Sequence, residues 1–211
     1  MSTVAVIDYG MCNIDSVVRA VEECGGKPIV TDHEKEIHHA SHIILPGVGS
    51  FSDAMHNLRQ RSLDVILAEC VLAKGTPFLG ICLGMQLLAT KGWEGGETQG
   101  LCLIEGEVRR LEPSGGDTRI PHVGWNEVHH VVSSPLFKDV PSRKDFYFVH
   151  SYHFCPRHAE DAIARTPYCG GFVSAVAHGR IFGTQFHPEK SQKFGFQILR
   201  NFLSFSHDAP C

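Results

Sequence analysis

The chain has 211 residues, 43% of them hydrophobic and 20% charged, with a formal net charge of -4 at pH 7. That is enough apolar material for a sizeable core in one α/β domain, and nothing in the composition favours disorder. Acidic and basic residues are interspersed with no basic stripe, no apolar run reaches membrane-spanning length, and "MSTVAVIDYG" lacks a signal peptide's basic region and cleavage site. These features predict a cytoplasmic protein with neither a nucleic-acid nor a membrane partner.

The first half alternates strand-like and helix-like patterns. "TVAVIDYG" is a short β-branched run ending in turn residues, and Asn13 follows as a candidate N-cap. Ile14, Val17, Val18 and Val21 then recur at i, i+3, i+4 and i+7 until Gly25-Gly26 stops the helix. "KPIVTD" reads as a second strand and "HIILPGVG" as a third. Ser62 through Lys74 reads as a helix ended by Gly75. "TPFLGIC" is a fourth strand, and "LGMQLLATKG" the helix leaving it.

After about residue 100 the strands become shorter and alternate: "LCLIEGEVRRL", "VGWNEVHHVV", "FYFVHSYHF", "GGFVSAVAHG" and "RIFGTQFHP". They read as antiparallel strands attached to the same sheet. A final helix from Ser191 carries Phe194, Ile198, Phe202 and Phe205 on one face. No repeat, low-complexity tract or linker interrupts the chain. The expected fold is one α/β domain over residues 1–211, with a mostly parallel central sheet, helices on both faces and an antiparallel extension. Ligands of such sheets gather at the carboxyl ends of the strands.

Cys82 lies at one of those ends, between Gly80 and Gly84. A nucleophile on a sharp strand-to-helix turn projects from the top of the sheet, and small flanking residues relieve the crowding there. The helix that follows aims backbone N–H groups and its positive dipole end at the site, favouring negative charge on a developing oxyanion. Taken alone, "GICLG" is equally a buried thiol packed against a helix. A thiolate nucleophile needs a proton donor for its leaving group, normally a histidine oriented by a carboxylate. "TQFHPEKS" supplies His187 and Glu189, two residues apart, with Pro188 stiffening the backbone between them. "ILPGVGSF" adds a strand ending in Pro-Gly-x-Gly, where an N–H can turn toward a ligand with no Cβ in the way.

The other seven of the eight cysteines are scattered at positions 12, 24, 70, 102, 155, 169 and 211, and read as buried or idle thiols. Histidines cluster at His38-His39, His129-His130 and His150/His153, but no CxxC or HExxH spacing occurs. No metal and no cofactor are expected.

Taken together, Pro46 to Gly49, Gly80 to Gln86 and His187 to Glu189 resemble the PGxG strand end, the GxCxGxQ elbow and the late HPE of the class I, triad-type glutamine amidotransferases, a flavodoxin-like fold. Within that class, "VIDYGMCN", "IPHVGWNEV", "YFVHSYHF" and "GTQFHPEKSQKFG" look like the glutaminase subunits of imidazole glycerol phosphate synthases, and the resemblance covers nearly the whole chain. It implies a Cys82–His187–Glu189 triad and an oxyanion hole from the backbone N–H groups of Val48 and Leu83. It further implies an L-glutamine site at Gly49, Gln86, His150, Ser151 and Tyr152.

The same resemblance implies a (β/α)8-barrel synthase (cyclase) subunit as heterodimer partner, receiving ammonia to make imidazole glycerol phosphate and an aminoimidazole carboxamide ribotide in histidine biosynthesis. Asn13, Trp125, Tyr147 and Lys190 match positions near that contact. One departure stands out: the family reads DYGxGN where this chain has Cys12 in place of the second glycine, a position that cysteine would strain if it needs positive φ. A paralogue feeding a sugar-modifying amidotransferase and a stand-alone γ-glutamyl thiol hydrolase are the alternative readings.

Overall fold

In the computed structural model, which describes residues 2–114, 116 and 119–205, strand β1 (Thr3–Ile7) runs through the parallel half of a nine-stranded sheet. Cys211 lies outside the described residues. Val4 to Ile7 are all fully buried because both faces of the sheet are covered. Alternate residues serve opposite cores. Ala5 and Ile7 join Phe51, Met55 and Leu58 on one side, while Val4 and Val6 join Val17, Val21, Ile198 and Phe202 on the other. Each such buried aliphatic or aromatic side chain contributes on the order of 2 kcal/mol through removal from water.

Strands β2 (Lys27–Thr31), β3 (His42–Leu45) and β4 (Phe78–Ile81) join β1 in parallel, in the order β2-β1-β3-β4. Helix α1 (Ile14–Glu23) buries Val17, Ala20 and Val21 and stops at Gly25, whose φ is +86°. Asn13 occupies its N-cap position, yet its side chain makes no capping hydrogen bond. Two helices escape the periodicity reading: α2 (Glu34–His39) and α3 (Phe51–Gln60), the latter capped by Ser50, whose Oγ accepts from the Asp53 N–H at 3.2 Å. The helix expected over 62–74 forms as α4 (Leu63–Ala68) and widens into a π-helical turn at Glu69–Ala73.

The helix expected after Cys82 is only one turn, α5 (Leu83–Gln86). The cause is tertiary. The returning segment 101–104 donates its backbone N–H groups to the carbonyls of Leu87, Leu88 and Ala89, which a longer helix would have used internally.

Beyond residue 100 the expected single sheet divides. Strands β8 (His122–His130), β9 (Lys144–His150), β11 (Ala162–Thr166), β12 (Phe172–His178) and β13 (Ile181–Thr184) complete the large sheet, with β13 parallel to β4 and the rest antiparallel. In contrast, β7 (Gly106–Arg110) and β10 (Tyr152–Pro156) pair with the short β5 (Lys91–Gly92) and β6 (Thr98–Gln99) in a separate four-stranded sheet. "FYFVHSYHF" is therefore two strands broken at Ser151, and its break faces the site. The last helix, α6 (Gln192–Leu203), buries Ile198, Leu199 and Phe202 as its stripe requires, leaving Phe194 and Phe205 partly covered. Among the described residues no helix is long and apolar enough to cross a membrane.

The glycines of the elbow mark the tightest packing. A Cβ on Gly84 would lie 1.8 Å from the Leu45 carbonyl oxygen, and one on Gly80 would lie 2.4 Å from the Gly84 carbonyl. Gly84→Ala is expected to destabilise the chain by at least about 3 kcal/mol, read by chemical denaturation, because the obstacle is strand backbone that cannot swing aside.

Candidate active site

Strand β4 ends at Cys82 with φ 55° and ψ −108°, a left-handed corner that costs a non-glycine residue roughly 1–3 kcal/mol. Neighbours hold it there. The Cys82 N–H donates to Thr184 on β13 at 2.8 Å, and its carbonyl accepts from the Met85 and Gln86 N–H groups. The sulfur is nearly buried. Its thiol donates to the Val149 carbonyl at 3.7 Å, and the Gln185 amide donates to the sulfur at 3.7 Å.

His187 follows β13 and opens the turn Pro188–Lys190. Its Nδ1 lies 2.8 Å from Glu189 Oε1, and both side chains are almost fully buried. Ser191 clamps the turn: its hydroxyl donates to the His187 carbonyl at 2.6 Å and accepts the Tyr147 N–H at 3.0 Å, while the His187 N–H donates to the Tyr147 carbonyl. Burial alone would lower the His187 pKa, but the Cys82 sulfur and the Glu189 carboxylate outweigh it and raise it to about 10. The Nε2 nitrogen is buried with no well-aligned hydrogen-bond partner among the described residues, although Cys82 is close enough to raise the ring's pKa through hydrogen bonding and charge; the second Glu189 oxygen is likewise unbonded there.

A cavity of about 230 Å³ opens beside the thiol, lined by Val48, Gly49, Cys82, Leu83, Gln86, Glu94, Val149, His150, Ser151 and Tyr152. All five positions that the family resemblance implied for glutamine are among them. Their roles differ in kind. Gln86 is a buried bridge whose amide donates to the Tyr152 carbonyl at 2.9 Å and to Gln185 Oε1 at 3.0 Å. His150 is buried and neutral, its pKa pushed down to about 3 by burial. Larger pockets exist elsewhere, one of about 570 Å³ around Lys91, Arg109 and Arg157, but they contain neither the thiol nor the imidazole. Among the described residues no group of three or more His, Cys, Asp or Glu side chains is arranged to hold a metal ion.

Three positions at the site escape motif reading. Among the described residues Glu94 is the only carboxylate lining the cavity, and its Oε2 accepts the Phe51 N–H at 2.8 Å. Gln185, just past β13 and two residues before His187, donates its amide to the sulfur, and Ser191 holds the turn that follows. Nothing local in the sequence distinguishes Glu94 from a solvated loop residue.

The two backbone N–H groups expected at the oxyanion position stand differently. Leu83 N–H heads α5, where no intrahelical acceptor exists, so it is free to serve. The Val48 N–H donates instead to the Met11 carbonyl at 2.9 Å. The strain expected at Cys12 does not arise either: its φ is not positive, and its thiol donates to the Pro46 carbonyl at 3.5 Å and the Ile7 carbonyl at 3.6 Å.

Trp125, Tyr147 and Lys190 meet on one outer face. The Trp125 and Tyr147 rings are 6.1 Å apart, and Lys190 Nζ lies 5.9 Å from the Tyr147 ring centre. Trp125 is 49% exposed, which removes it from the core. Asn13 is exposed at the head of α1, which packs against the 188–190 turn.

A model of the glutamine amidotransferase class-I family matches residues 5–204. This chain belongs to that family. Among curated members, the imidazole glycerol phosphate synthase subunit HisH of Nitrosococcus oceani is 44% identical over 208 residues, covering 98% of this chain and 99% of that one. The Moorella thermoacetica subunit of the same name is 47% identical over 202 residues, covering 96% and 94%. The amidotransferase fold is shared with distant solved structures. One glutamine amidotransferase aligns with a TM-score of 0.74 at 16% identity, covering 94% of this chain and 96% of its own. The CTPS glutaminase domain of Trypanosoma brucei aligns with a TM-score of 0.67 at 17% identity, covering 97% and 92%.

A raised His187 pKa means the folded amidotransferase keeps a proton that the unfolded chain releases above about pH 6.5. The stability it contributes is complete below pH ~6.5 and is lost as pH rises toward about 10. Glu189→Gln removes one anion, so denaturation curves across this range are expected to show a shallower loss than in the wild type, with the His187 ring titrating at lower pH by NMR.

Proposed function

We propose that residues 1–211 form a single glutaminase domain that hydrolyses L-glutamine and passes the ammonia to a synthase subunit of histidine biosynthesis. The observation that carries this reading is the convergence of a strained cysteine, a carboxylate-paired histidine and a cavity with one acidic lining residue at the carboxyl end of the parallel strands. Cys82 gives its thiol proton to His187 Nε2, and its sulfur attacks the side-chain amide carbon. The oxyanion that results is held by the Leu83 N–H and, after its peptide turns, by the Val48 N–H. His187, charged toward Glu189, gives its Nε2 proton to the departing ammonia and then takes one from the water that releases glutamate from the thioester. Glu94 suits the α-ammonium group of the substrate, and the backbone of Gly49, Ser151 and Tyr152 its carboxylate end.

The Val48 hydrogen bond to Met11 supports a resting state. Breaking one backbone hydrogen bond costs only about 1 kcal/mol, and the flanking Gly47 and Gly49 lower the barrier to turning the peptide, so a docked partner could tip the balance. This contact counts against a stand-alone hydrolase, which would need a hole already formed.

The partner surface in this reading is the outer face of β8 and β9. Val123 pairs with Val149 and Trp125 with Tyr147 across the two strands, all four facing outward, beside Lys190 and Asn13. Exposed aromatic and aliphatic side chains with a basic neighbour fit an interface better than free surface. Tyr147 also lies 6.3 Å from the His187 ring, ring centre to ring centre, so a partner docked here would cap the site and shield ammonia from protonation. A (β/α)8-barrel is the partner architecture that the family resemblance favours. Cytoplasmic residence fits the cysteines, all free among the described residues.

The test is glutamate release measured with and without the synthase subunit and its nucleotide ligand. Activity should be low alone and rise strongly in the complex; high, unchanged activity alone would overturn the proposal. Cys82→Ser is expected to lose at least ~1,000-fold in turnover. Glu94→Gln should raise KM about tenfold with a smaller effect on kcat. Trp125→Ala should weaken synthase binding about tenfold or more in titration calorimetry while leaving the basal rate of the isolated chain unchanged.

A further inference from the structure

The PHVGWN stretch and the FVHSY stretch lie far apart in sequence, and the mechanism above uses neither His122 nor Asn126. In the structure the two stretches are adjacent strands, and their histidines touch: His122 Nδ1 lies 3.0 Å from His150 Nε2. His150 Nδ1 lies 2.8 Å from the Tyr152 carbonyl, and Asn126 Nδ2 lies 3.3 Å from His122 Nε2. Both imidazoles are buried, 3% and 6% exposed.

The direction of the proton between the two rings follows from the carbonyl end. A carbonyl only accepts, so His150 carries its hydrogen on Nδ1 and, as a neutral ring, offers Nε2 as an acceptor. His122 must then carry a hydrogen on Nδ1, while its Nε2 lies beside the Asn126 amide. A second proton on His150 would oppose the His122 donor. Burial, which holds His150 neutral, agrees with this assignment.

The relay ends at the turn of 150–152, which breaks the long hairpin and lines the glutamine cavity. The Tyr152 carbonyl also accepts from Gln86, which bonds Gln185, which reaches the Cys82 sulfur. A shift of this turn is therefore felt both where substrate lies and at the sulfur. We propose that His122 is a positioning residue for glutamine: its Nδ1–H holds His150 in one tautomer and so holds the Ser151–Tyr152 turn in its substrate-binding form. Side chains at 122 and 126 face inward on β8 while Val123 and Trp125 face outward, so the strand bearing the proposed partner surface also bears the relay. This inference rests on the glutaminase reading.

The experiment separates hydrogen bonding from packing. The His122 ring stacks on Tyr168, with centroids 4.0 Å apart, and sits beside Phe148. His122→Phe keeps a ring there but loses the donor; His122→Asn keeps an N–H near the Nδ1 position but loses the ring. In complex with the synthase subunit, His122→Phe is expected to raise KM for glutamine at least ~10-fold with kcat changed less than ~3-fold, and His122→Asn to stay within ~3-fold of wild type in both. Nitrogen-15 spectra of the wild type should show His150 neutral with its hydrogen on Nδ1 and a hydrogen on His122 Nδ1, and His122→Phe should shift the Ser151 and Tyr152 amide signals. An unchanged KM in His122→Phe, equal losses in the two variants, an Nε2–H tautomer on His150, or a His122 ring without a hydrogen on Nδ1 overturns the inference while turnover by the wild type stands. Absence of glutamine turnover by the wild-type complex overturns the glutaminase reading, and the inference with it.

Discussion

The site depends on one strained corner, the left-handed backbone of Cys82 between β4 and α5. That geometry costs free energy locally and persists because β4 is boxed on both sides, by β3 and by β13, and because α5 lies against the end of β3 with no room for a Cβ at Gly84. The packing of the sheet pays for the corner. Its result is a sulfur at the carboxyl edge of the parallel strands with the first N–H of a helix beside it. Every other group at the site is placed relative to that sulfur.

The second half of the chain supplies the walls. β13 lies parallel to β4 and delivers Gln185 and His187 to the thiol, while β9 crosses above with the Val149 carbonyl against the sulfur. Ser191 ties the turn after His187 to Tyr147 on β9, so the imidazole and the exposed aromatic face are linked by a short set of hydrogen bonds. A deeper set runs from Asn126 through two histidines and two glutamines to the sulfur. Buried polar chains of this kind are costly when any member is missing and specify one arrangement when all are present. Here they join the outward-facing strand pair to the cavity.

The first turn and the PGVG strand end form a third unit. The Cys12 thiol bonds the Pro46 carbonyl, and the Met11 carbonyl holds the Val48 N–H. Cysteine at position 12 thus takes an ordinary backbone conformation and uses its side chain to tie the two turns together. The loop that would complete an oxyanion hole is bonded away from it, with glycines at 47 and 49 to permit rotation.

Much of this was legible in the chain itself. The β-branched runs and the stripe of Ile14, Val17, Val18 and Val21 set the parallel half, because period and burial are local properties of sequence. The elbow glycines, the thiol and the His187–Glu189 pair were readable because each needs specific residue types at short spacing. What only the tertiary structure decided involves partners distant in sequence. The one-turn length of α5 reflects carbonyls claimed by residues 101–104, and the split of the 146–154 segment reflects two sheets competing for it. The inward face of Glu94, the bridge made by Gln86 and the facing pair His122–His150 arise likewise from strands brought together by folding. The Val48 N–H belongs to the same class, since the peptide can face either way and Met11, more than thirty positions earlier, supplies the acceptor that chooses.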